Sequence, residues 1–71
     1  MSVASGRVRL QLLHKELLLR WGRVCDTWDD PVRHALGERQ IEPLDARIRA
    51  ALAAMDSMRD TIARVRRECG S

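Results

Sequence analysis

IEPLDARIRAALAAMDSMRDTIARVRREC, residues 41–69, decides the fold. Within it Ile41, Leu44, Ile48, Ala51, Met55, Met58, Ile62, Val65 and Cys69 recur at alternating steps of three and four. This spacing predicts an α-helix with these side chains on one stripe, the a and d positions of a heptad repeat. Arg47, Arg49, Asp56, Arg59, Asp60, Arg64, Arg66, Arg67 and Glu68 fill the positions between and make a charged face. Asp45–Arg49, Asp56–Arg59 and Asp60–Arg64 put acids one turn ahead of bases, the better orientation on a helix. Arg64, Arg66 and Arg67 fall in the last turns, where the macrodipole favours cations, and Gly70 is a natural stop. A stripe this regular needs a second helix to cover it.

Upstream, Leu10, Leu13, Leu17, Trp21, Val24 and Trp28 form another stripe, widened by Leu12, Leu18, Leu19 and Cys25. The spacing predicts a helix over about 7–27 whose apolar face is broader than a two-stranded seam requires. Met1–Gly6 is expected to fray, with Ser5 as a cap for Arg7 onward. Gly22 costs about 1 kcal/mol relative to Ala inside a helix, so either another helix approaches closely there or the helix is locally weak.

Trp28-Asp29-Asp30-Pro31 punctuates the chain. Asp30 is a good N-cap, Pro31 suits the first helical position, and the residue before a proline is pushed out of helical geometry. A turn at 28–30 therefore joins helix one to a second helix over about 31–69. Pro43 lies inside the second helix and predicts a break or kink near that residue. The expected fold is all-α: one domain, residues 1–71, a helical hairpin with a long, Pro-kinked second helix that forms an intermolecular bundle. Its hairpin core is expected to be Leu13, Leu17, Trp21, Val24, Trp28, Leu44 and Ile48.

Folding the hairpin about Asp29 and Asp30 sets Leu10 near Arg49, His14 against Asp45, Leu17 near Glu42 and Val24 near Ala35. Helix one then covers helix two only to about Leu52. The rest extends about 20 Å further, at 1.5 Å per residue. The expected partner-binding residues are Ala51, Met55, Met58, Ile62, Val65 and Cys69, since exposed stripes of this kind mark binding surfaces. Ala50, Ala51, Ala53 and Ala54 would admit a close helix, and methionines adapt to irregular partners.

The totals narrow the function. Seventy-one residues seldom bury enough surface to fold stably without a staple or a partner. The chain has no Phe or Tyr, and Trp21 and Trp28 are its only aromatics besides histidine. The net charge of +3 is not the one-sided excess of a dedicated nucleic-acid protein, so nucleic acid is not the expected partner. Cys25 and Cys69 make no disulfide framework and suit a reducing cytoplasm. No apolar run reaches the length of a membrane span, and the Leu-rich segment is interrupted by His14, Lys15 and Glu16, so neither a membrane partner nor a secretory signal is expected.

The chemistry-bearing residues point away from catalysis. His14 faces Asp45, but no Ser or Cys nucleophile accompanies the pair. Cys25 and His34 meet near Asp26, Asp29 and Asp30, yet no CxxC or HExxH spacing supplies a four-ligand metal site. No phosphate-binding Gly-rich loop is present. We therefore expect no enzyme activity, no catalytic residues, no metal and no cofactor. Arg64, Arg66 and Arg67 could touch phosphates, but Asp60 and Glu68 are interleaved with them.

Trp28-Asp29-Asp30 between two amphipathic helices, in a chain of this length, resembles the WXG100 family of small secreted helical hairpins. In that family a Trp-x-Gly turn joins the helices and the hairpins pair into four-helix bundles. Trp28 matches the motif; Asp30 stands where the family has glycine, and no Tyr-containing export signal is present. The resemblance implies a homo- or heterodimer, and as an alternative localisation export without a cleaved signal peptide. The expected function is a non-enzymatic protein–protein interaction module, self-associating as an antiparallel dimer or binding a helix of a larger protein. The alternative is a small subunit of a larger complex with weak nucleic-acid contact through its basic helix end.

Overall fold

The computed structural model describes residues 3–70. Helix α1 spans Val3–Thr27 and α2 spans Pro31–Leu36; a π turn over Gly37–Ile41 leads into α3, Glu42–Gly70. The chain is an all-α hairpin, with no strand among the described residues. α1 begins upstream of the expected start, so Ser5 lies within the helix and does not cap it. The expectation of fraying at Met1 and Ser2 lies outside the described residues.

The turn follows the capping rules. Asp30 is extended at φ −148° and ψ 174°, and its Oδ1 accepts from the Arg33 backbone N–H at 2.9 Å. Pro31 follows at the first helical position, where no donor is needed.

The second helix is irregular just upstream of Pro43 and not at it. Proline lacks the N–H that would reach the Arg39 carbonyl, and its ring crowds that same carbonyl. The turn ahead of it is widened: the Glu42 N–H donates to the Gly37 carbonyl, five residues back. Insertion of one residue into the ladder absorbs the proline without ending the helix.

The seam between α1 and α3 differs from the expected core at Leu13, Trp28 and Leu44. The half-buried residues of α1 include Arg7, Leu10, His14, Leu17, Trp21 and Val24, a strict three-four alternation. His14 therefore occupies the seam position that the sequence reading gave to Leu13: the His14 side chain is 11% exposed, whereas Leu13 is 56% exposed. A strict alternation keeps one line of contact, and the two successive steps of four from Leu13 to Leu17 to Trp21 break it. Trp28 and Leu44 also lie on the exposed side, while Leu17, Trp21, Val24 and Ile48 are half-buried. Across the seam, Ile41, Asp45, Ile48, Ala51, Leu52, Met55 and Asp56 are half-buried.

The molecule is a rod. Its extents are 59 × 17 × 15 Å and its radius of gyration is 17.2 Å; a globular chain of this length would have about 11 Å. Among the residues whose burial is described, no apolar side chain is fully buried and only Gly37 is buried. The Trp21 indole fills the space over Gly37: a Cβ there would sit 3.1 Å from Trp21 Cζ2. Gly37 has ordinary helical dihedrals, so it is the absent side chain that matters and not conformational freedom.

Candidate interaction surface

Two polar links fix the register of the hairpin. His14 Nε2 donates to Asp45 Oδ1 at 2.5 Å, and Arg49 approaches the other carboxylate oxygen at 3.0 Å. Seven residues earlier in α1, Arg7 Nε and Nη2 grip both oxygens of Asp56 at 2.7 and 3.2 Å. The hydrogen bond from His14 holds the Asp45 carboxyl below the ordinary carboxylate range, and that from Arg7 does the same for Asp56. The facing of His14 and Asp45 is the pairing that the sequence geometry predicts. The reach of Arg7 to Asp56 is a turn further than the hairpin register predicts, a distance that the long arginine side chain spans.

The turn is held by polar bonds around Arg33. Its Nε donates to the Trp28 carbonyl at 3.0 Å and its Nη2 to Asp29 Oδ1 at 3.0 Å. Its Nη1 lies 3.4 Å from Cys25 Sγ. The indole N–H of Trp28 donates to Asp30 Oδ2 at 2.7 Å, so Trp28 steadies the same carboxylate that caps α2. His34 Nε2 is 2.8 Å from Asp29 Oδ1. The Asp29 carboxyl is held low by its bonds from Arg33 and His34, and that of Asp30 by the Arg33 backbone N–H and the Trp28 indole. The guanidinium of Arg33 thus bridges Cys25 and Asp29. Among the described residues no group of three or more His, Cys, Asp or Glu side chains is placed to hold a metal ion. Arg33 was not singled out in the sequence; its spacing of three and four residues after Asp30 and Asp29 was the available signal.

The candidate binding residues divide into two sets. Ala51 and Met55 are half-buried beside α1, so the hairpin itself covers part of them. Met58, Ile62, Val65 and Cys69 are exposed, as is every residue from Ser57 to Gly70. At 1.5 Å per residue that uncovered arm is about 21 Å long. A seven-residue repeat on a helix of 3.6 residues per turn drifts by about 20° per heptad, so the stripe winds slowly about α3.

α1 carries a second exposed stripe. Val8, Leu12 and Leu19 are 55%, 61% and 66% exposed and lie on the side of the helix away from the seam. Leu12 and Leu19, which widen the apolar face in the sequence, join Val8 to give α1 two apolar sides. No described helix is long and apolar enough to cross a membrane.

The chain matches no protein-family model, no curated protein and no solved structure.

Proposed function

We propose that this chain is a non-enzymatic protein–protein interaction module, a small helical hairpin completed by helices of another molecule. That molecule is a second copy or a larger protein. One observation carries the reading: the accessible surface is 5831 Å². A compact monomer of 8.1 kDa would expose about 4,500 Å². The excess, about 1,300 Å², is close to what one partner contributes to a large and stable interface. Exposed apolar side chains stand on the uncovered arm of α3, at Met58, Ile62 and Val65, and on the outer side of α1, at Val8, Leu12 and Leu19.

The hairpin layout and the Trp28 turn support a WXG100-like partner; the exposed Arg64, Arg66 and Arg67 support the second reading, a subunit with weak nucleic-acid contact. Light scattering and circular dichroism on the purified full chain test the first. A helical dimer, or a chain of low helicity that gains structure on adding its partner, is the expected result. A stably folded monomer at high concentration, with cooperative melting and no tendency to associate, would overturn it. Steep salt dependence of binding to duplex or single-stranded nucleic acid would favour the second reading.

A further inference from the structure

We propose that the uncovered arm of α3 docks an amphipathic helix of another protein that carries acidic residues along one edge of its apolar stripe. This rests on the interaction-module reading and names the occupant. The docking stripe is Met58, Ile62, Val65 and Cys69. Arg59 and Arg66 each follow a stripe residue by one position, so they line one edge; Thr61 and Glu68 line the other. These are the e and g positions of the heptad, where side chains from facing helices meet and set partner choice and orientation.

The edge arginines have little to hold in their own chain. Arg59 reaches Asp56 and Asp60 only at 3.8 Å each, with its side chain 58% exposed. Arg64, Arg66 and Arg67 make no ion pair among the described residues. The arm from Ser57 to Gly70 holds four arginines against Asp60 and Glu68, so its field is positive.

A second copy supplies no match. In antiparallel pairing like edges face each other, and Arg59 and Arg66 would meet the same arginines of the other copy. In parallel pairing g faces e of the next heptad, so Arg66 would meet Thr61 and Arg59 would meet Ala54, neither of them acidic. A helix with Glu or Asp on one edge satisfies both arginines while its apolar stripe covers Met58, Ile62 and Val65. Nucleic acid would use the charges but leave the apolar stripe bare.

Two designed peptides of about three heptads test this, identical in their Leu and Ile stripe, one with Glu and one with Lys at every edge position. Each is titrated against the full chain by fluorescence anisotropy. The Glu peptide is expected to bind at least about tenfold more tightly. Arg59→Glu with Arg66→Glu should reverse that preference, and Met58→Asp with Ile62→Asp should abolish binding of both peptides. Equal affinity, or a preference for Lys, overturns the proposal. So does Glu-peptide binding that survives Met58→Asp with Ile62→Asp, which would be charge attraction alone. If neither peptide binds and light scattering shows a dimer, the acidic partner is overturned and the interaction-module reading stands with a second copy as occupant. If neither binds and the chain is a stable monomer, both fall.

Discussion

Arg7 and Asp56 lie 49 residues apart in the chain and meet in a two-pronged ion pair, Nε to Oδ1 at 2.7 Å and Nη2 to Oδ2 at 3.2 Å. The pair marks the end of the covered length of α3: Asp56 is half-buried and every residue from Ser57 to Gly70 is exposed. The shielding of helix two by helix one thus ends at a charge pair, while the apolar repeat runs on through it.

Acid should loosen the hairpin. The Asp45 and Asp56 carboxyls are held below their ordinary range by hydrogen bonds from His14 and Arg7. Their folded-state pKa values lie below the unfolded value of about 3.9. Their stabilising contribution is complete above that value and is lost as pH falls through the folded values. Thermal melts by circular dichroism should show Tm falling below about pH 4, with a shallower fall in Asp45→Asn and Asp56→Asn. A Tm independent of pH through the acid range would show that these pairs do not hold the hairpin.

Gly22→Ala should stabilise the chain by roughly 0.5–1 kcal/mol. Gly22 is helical and a Cβ there meets nothing within 4 Å. The close approach that its presence in a helix could signal is not made by this chain. Urea melts measure the effect; a destabilising result would show that a second molecule packs over Gly22.

Gly37→Leu should destabilise by roughly 1–3 kcal/mol, because a large side chain must displace the Trp21 indole from its contact. Trp21 fluorescence should shift to longer wavelength as the ring gains water. An unchanged emission maximum would show that Trp21 does not rest on Gly37.

Trp28→Phe keeps an aromatic ring and removes the indole N–H that donates to Asp30. The expected loss is about 1 kcal/mol, the net worth of one hydrogen bond. A buried core tryptophan would cost about 3–5 kcal/mol on truncation to Ala; the 36% exposure of Trp28 predicts a smaller loss for Trp28→Ala. Urea melts of the two variants separate the hydrogen bond from the packing.

The sequence by itself determined that the chain is helical, where it turns, and that its second helix outruns its first. Heptad spacing, an Asp-Pro cap and the reach of a helix are local rules, legible from residues near one another in the chain. It also placed His14 against Asp45, because folding a hairpin about a short turn fixes which residues face. Only the tertiary structure decided which residues form the seam. The choice between Leu13 and His14 depends on about 100° of helix rotation, and Asp45, available to bond only one of them, settles it. The π turn at Gly37–Ile41 is the irregularity that Pro43 predicts nearby, set in the preceding turn because a proline's strain falls on the carbonyls there. The division of Met55 from Met58, one half-buried and one bare, depends on how far α1 extends along a helix that it does not adjoin in sequence.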